Sequence, residues 1–185
     1  MKKIFCFLLT LLLLLPCFTS CKFMTLSDSE AKAELDRLLP QAKELTEIFY
    51  GKGLPFTEIA EDSTDYYAFV KEDAPYQSIE QLQAAAEKVF TPEYLVGVYE
   101  YAFEGSEYYA SRYFTDEKGN LKINTRLEPM ALLAEIDTTN AKVLEGTPST
   151  VLVQVDAVNS AGKKMQKKIT IVNVDGVWLL DCAGY

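Results

Sequence analysis

The sequence contains no histidine. That absence removes the Ser-His-Asp and Cys-His nucleophile systems, imidazole-ligated zinc and the imidazole pH switch. Cysteine is scarce, with 4 in 185 residues, and no Cys-x-x-Cys pair occurs, so the spacing that suits zinc or dithiol exchange is missing. Positive charge is the minority: 18 Lys+Arg stand against 27 Asp+Glu, a formal net charge of −9. Such a chain is repelled by nucleic-acid phosphates, and no nucleic acid partner is expected. Gly51-Lys52-Gly53 lacks the spacing of a phosphate loop, and Asp116-Glu117-Lys118-Gly119-Asn120 lacks that of a calcium loop. No cofactor or metal is expected. Hydrophobic residues at 49% and charged residues at 24% match a globular domain and exclude a disordered or collagen-like chain.

What is present begins at the N-terminus. Lys2 and Lys3 precede an apolar run from Ile4 to Leu15, with five leucines at 11–15, and Pro16 ends it. A spanning helix needs about 20 apolar residues, so this run suits a cleaved leader. Phe18-Thr19-Ser20-Cys21 resembles the lipobox of bacterial lipoproteins, with Phe18 in place of the usual leucine. The resemblance implies a signal peptide at 1–20, a lipid on Cys21 and a tether at 21–27. It also implies an extracytoplasmic protein anchored to the cell membrane. Loss of Lys2 and Lys3 would leave 16 basic against 27 acidic residues, a charge of −11. Cys182 would then be the one cysteine without a role in export, and no intramolecular disulfide is expected.

Helical spacing dominates the first half. Ser27 or Asp28 is placed to cap a helix from about Ser29, along which Leu35, Leu38, Ala42, Leu45, Ile48 and Phe49 recur. Pro40 predicts a kink or restart, and Gly51, Gly53 and Pro55 an end. Residues 56–64 read as a polar loop and 65–70 as a strand. Ser78 with Gln81 forms a capping box ahead of an apolar face running from Ile79 to Phe90. Thr91-Pro92 starts another helix that reaches Gly105. The period then changes to two, predicting strands at 107–115, 120–124, about 133–144, 149–159, 164–174 and 177–182. Asp175-Gly176 predicts a type I′ hairpin turn.

No linker or repeat divides residues 28–185, so one α+β domain is expected, with early helices across a curved antiparallel sheet. The closing Asp175-Gly176-Val177-Trp178-Leu179-Leu180-Asp181 resembles the terminal hairpin of nuclear-transport-factor-2-like (cystatin-like) cone folds. Ile48-Phe49-Tyr50-Gly51-Lys52-Gly53-Leu54-Pro55, Ala110-Ser111-Arg112-Tyr113 and Trp178-Leu179-Leu180-Asp181 are similar to segments of uncharacterised lipoproteins of clostridial-type anaerobes. By element order and the Phe90-Thr91 helix start, the chain also resembles secreted inhibitors of cell-wall D,L-endopeptidases. That resemblance implies an envelope protein as partner and transfers no inhibitory residue.

Two places stand out as candidate binding sites. Loop 57–65 bears Glu58, Glu61, Asp62 and Asp65 beside Tyr66 and Tyr67. It reads either as a contact region or as a solubilising loop. Alternation along 107–115 puts Tyr108, Ala110, Arg112 and Phe114 on one face and Tyr109, Ser111 and Tyr113 on the other. Drawn inward, Arg112 requires a carboxylate, as a structural ion pair, or an anionic ligand. Trp178 and its alternation partners Leu180 and Cys182 read as core, with Cys182 a small hydrophobe rather than a nucleophile. No catalytic residue is assigned. The chain therefore reads as a non-enzymatic binding or regulatory module of the cell envelope, in its sharper form a cell-wall hydrolase inhibitor. The alternatives are a cone-fold enzyme using carboxylate, Tyr and Arg groups in a helix–sheet pocket, and an assembly scaffold.

Overall fold

The computed structural model describes residues 25–59, 65–130 and 134–183. Residues 1–20, read as a leader, Cys21 and residues 22–24 lie outside them. Among the described residues no helix is long and apolar enough to cross a membrane.

The first helix, α1 (Asp28–Phe49), starts at Ser27, whose hydroxyl accepts from Glu30 N while the Glu30 carboxylate accepts from Ser27 N at 2.8 Å. This is a reciprocal capping box. Ala31, Leu35, Leu38, Ala42, Leu45 and Phe49 form its buried stripe. The expected restart at Pro40 does not occur: the helix runs through it. An interior proline costs about 3 kcal/mol. The neighbouring Leu38 and Leu39, both buried, contribute about 1.5–3 kcal/mol each and offset it.

Two short helices follow, α2 (Ile79–Ala86) and α3 (Pro92–Tyr99), the latter running into a π-helical turn at Glu100–Glu104. Thr91 caps α3 and Pro92 opens it as expected. At α2 the box is shifted, because Gln81 Oε1 accepts from Gln77 N rather than from the cap residue Ser78.

The domain is α+β, but its strands form two antiparallel sheets rather than one. The small sheet has the order β1 (Tyr67–Phe69), β3 (Leu121–Asn124), β2 (Tyr113–Thr115). The large sheet has the order β4 (Ala134–Gly146), β5 (Thr150–Asn159), β6 (Lys164–Val174), β7 (Val177–Leu180). The break falls after β3, where Met130 N donates to Tyr50 O and draws the chain to the end of α1 instead of alongside β3. Residues 107–112 are not strand, as Gly105 takes φ 72° and Ser106 N bonds Tyr109 O, which turns the chain locally. Asp175 and Gly176 have φ 52° and 89°, as a type I′ turn demands.

α1 lies over the inner face of the large sheet, against Val151, Val153, Val155, Ile169, Ile171 and Leu180. Two polar bonds tie it to β4: Val143 N donates to Asp28 and Thr138 Oγ1 to Asp36. The same core continues into the small sheet through Ala68, Tyr113, Leu121 and Ile123. Trp178 and Cys182 are only partly buried at its margin, so neither is the fully enclosed residue that alternation predicts. Leu180 is fully buried.

Candidate functional site

The last turn of α1 contains no basic residue, and its carbonyls need donors from elsewhere. Arg112 supplies them. Its Nε donates to Ile48 O at 3.3 Å and its Nη2 to Gly51 O at 2.5 Å. Tyr113 adds a hydroxyl donated to Ile48 O at 2.9 Å, and the same hydroxyl oxygen accepts from Leu54 N at 3.0 Å. The guanidinium, 2% exposed, thus sits at the negative end of the helix dipole. Burial pushes the Tyr113 hydroxyl up to about 12. Gly53, at φ 80°, lets the chain pass so close that an added Cβ would strike Ile123. The expected carboxylate partner of Arg112 is replaced by carbonyls. Its Nη1 has no hydrogen-bond partner among the described residues. Because 107–112 is not strand, both Arg112 and Tyr113 turn inward while Tyr108 and Phe114 stay exposed.

The outward face of the small sheet is different in kind. Register places Phe69, Lys122 and Phe114 side by side across the three strands. Phe69 is 45% and Phe114 41% exposed. Lys122 Nζ lies over the Phe69 ring, 4.5 Å from its centroid. Tyr67 packs on Phe114 at 5.4 Å and on Tyr66 at 4.9 Å, and Arg126 stands over Tyr66 at 4.7 Å. A strip of four aromatic rings therefore carries a cation on each end, both held by attraction to ring faces. Hydrogen bonds fix its members. Tyr67 donates its hydroxyl to Ser111 O, and Thr125 donates both N–H and hydroxyl to Tyr66 O. Asp65 accepts from Tyr67 N and faces Lys122 at 3.4 Å. Those contacts, the backbone N–H foremost, hold its carboxyl below the usual range.

Of the sequence-predicted residues, Asp65, Tyr66 and Tyr67 come together here. Glu58 is exposed on the segment that pairs with β1, where Thr57 N bonds Phe69 O. Glu61 and Asp62 lie outside the described residues. Arg112 is not on this face. Phe69, Lys122 and Arg126 were not among the candidates read from the sequence, and Phe114 entered only as sharing a face with Arg112. The signal that finds three of them is the hairpin: pairing about the Asp116–Gly119 turn sets Phe114 opposite Lys122, and alternation from Tyr67 adds Phe69.

Beyond Phe69 the face runs into a polar trough of ≈ 750 Å³ that includes Lys71, Glu72, Asp73 and Gln77. Glu72, Asp73 and Lys71 stand in that trough, and Asp65 faces Lys122 on the strip itself. Among the described residues, no group of three or more Cys, Asp or Glu is arranged to hold a metal ion. In comparison with known proteins, no family model matches the chain and no curated protein matches it. Fold and face together define an α+β domain with an open aromatic face bordered by charged side chains.

Proposed function

We propose that this protein is an extracytoplasmic binding module, held to the membrane by lipid on Cys21, that engages an envelope protein without turning over a substrate. The observation that carries this reading is the strip Tyr66, Tyr67, Phe69 and Phe114 with Lys122 and Arg126 seated on it. Tyr, Phe and Arg are the side chains that dominate the desolvated centres of protein interfaces. The net charge of −9, with Glu72 and Asp73 in the neighbouring trough, favours a partner with basic residues around an apolar centre, and speeds its approach more than it tightens the complex. A wall hydrolase with a basic surface is the partner class that fits both this chemistry and the resemblance to endopeptidase inhibitors.

The test compares capture of envelope proteins by the chain and by a Phe69→Ser, Phe114→Ser double variant. The expected result is a captured wall hydrolase whose activity falls on binding, lost in the double variant, with association slowed by salt. Equal capture by both, or hydrolysis of wall fragments by the protein itself, refutes the reading. The anchor is tested apart, by Cys21→Ala, which is expected to leave the membrane fraction or remain unprocessed.

A further inference from the structure

The molecule bears a second concave feature, remote in kind from the aromatic strip. A groove of ≈ 840 Å³ opens where α3 meets the β7 edge of the large sheet. Phe90, Leu95, Val96, Tyr99, Val177 and Leu179 form its walls. Val96 and Val177 are its exposed lips, at 69% and 51%. The volume lies within the range of pockets that take small ligands, roughly 300–1,000 Å³. Exposed valines at such a mouth lose free energy to water unless something apolar covers them.

The backbone decides what kind of occupant fits. An extended peptide docks on a sheet by completing the hydrogen bonds of an edge strand. At β7 that edge is already used. Leu180 N donates to Val89 O at 2.8 Å, Leu180 O accepts from Thr91 N at 2.9 Å, and Trp178 O accepts from Arg37 Nη2 at 2.8 Å. A peptide strand would therefore bring its own N–H and C=O groups against an apolar wall with almost nothing to satisfy them. A hydrocarbon chain brings none.

The charged groups at the groove decide its head. Arg37, Glu87 and Lys88 line it. Arg37 is engaged by Glu34 and by Trp178 O. Glu87 lies against the Tyr99 hydroxyl and helps to raise it, after burial, to about 12. The Lys88 side chain makes no hydrogen bond or ion pair among the described residues. An unengaged cation beside an apolar trough, on a chain otherwise rich in acid, complements an anionic head.

We infer that this groove binds a free, single-chain amphiphile with an anionic head, a long-chain carboxylate, its tail between Leu95, Val96, Val177 and Leu179 and its head at Lys88. This site is separate from the proposed partner surface and stands or falls without it.

The full chain is titrated with a fluorescent long-chain carboxylate, with octadecylamine and an amphipathic helical peptide as competitors, and with phosphatidylglycerol vesicles in parallel. Val96→Asp changes an exposed residue, so its thermal melt should match the unaltered chain while affinity for the carboxylate falls about tenfold or more. Lys88→Glu should reverse the preference between carboxylate and amine. Phe69→Ser with Phe114→Ser should leave the titration unchanged, and the N-terminal leader is common to every variant, so it cancels. The inference is overturned if both groove variants bind the carboxylate as the unaltered chain does. It is also overturned if the helical peptide binds without displacing the carboxylate and with loss in Val96→Asp, or if binding occurs only to vesicles.

Discussion

The two sheets solve the same problem in opposite ways. The large sheet has strands of 13, 10, 11 and 4 residues. Its outer face is polar over β4 and much of β5 and β6, with Glu135, Asp137, Lys142, Asp156 and Lys168 exposed or half-exposed, and turns apolar towards β7, where Val177 and Leu179 line the groove. Its stability comes from the inner face and the hydrogen-bond ladder. The small sheet has strands of 3, 4 and 3 residues. Too short to stand alone, it is fastened to the end of α1 by Arg112 and Tyr113, yet its outer face is aromatic. A sheet that needed only fastening would have no use for exposed Phe69 and Phe114. The comparison teaches that side chains exposed where stability does not require them carry the functional information.

That contrast can be broken in graded steps. The largest effect is expected in the large sheet. Ile171→Ala, at a fully buried position, should destabilise by about 2–5 kcal/mol through the cavity it leaves, read by urea unfolding. Strongly alkaline solution should act next, and at the junction. Burial pushes the Tyr113 hydroxyl up to about 12, above its ordinary value of 10.0. A neutral form favoured by folding contributes stability that is full below pH 10 and lost as pH rises towards 12. Thermal melts should fall over that window, and Tyr113→Phe should flatten part of the fall, the rest belonging to Tyr50, Tyr76, Tyr94 and Tyr99, which burial also raises. At neutral pH, Tyr113→Phe removes the donor to Ile48 O and the acceptor of Leu54 N, and should cost about 1–3 kcal/mol. If it costs nothing, the small sheet is not fastened as described. Phe69→Ser with Phe114→Ser should change stability least among these substitutions, by about 0.5–1 kcal/mol, while abolishing partner capture. A loss comparable to Ile171→Ala would make the strip structural and erase the contrast. The smallest effect is acid: Glu30, Asp36, Asp65, Asp116 and Asp137 all lie below their usual values through hydrogen bonds. Each contributes stability that is present above about pH 4 and is lost as pH falls through its folded value. A shallow decline below pH 4, shared by both sheets, should appear in melting curves.

Local chemistry made much of this legible. Ser27, Thr91-Pro92 and Asp175-Gly176 mark their boundaries because caps and turns are decided by a few neighbouring residues. The long strands showed through alternation, and the buried stripe of α1 through its spacing. What stayed hidden depended on contacts distant in sequence. Arg112 lies 61 residues from Gly51, and no local pattern says that a helix without basic residues in its last turn will borrow one from there. The split into two sheets turned on a bond from Met130 to Tyr50. Tyr66 and Tyr67 were visible as a pair, but the strip required the register that brings Phe69, Lys122 and Phe114 abreast. The run 107–112 has strand composition and loses to the turn closed by Ser106 and Tyr109.

The beginning of the chain gives α1 a mechanical meaning. Thr25 lies against Gly146, at the end of the molecule where α1 starts, and the small sheet is fastened where α1 stops. A helix of 22 residues is about 33 Å long. Cys21 precedes Thr25 by four residues, a reach of about 14 Å at full extension. If Cys21 carries lipid as proposed, α1 would serve as a mast: its foot would stay near the bilayer and the small sheet would be held up to about 30 Å away. Lengthening residues 21–27 would let the whole rig swing on a longer rope, but the stand-off between foot and masthead would not change.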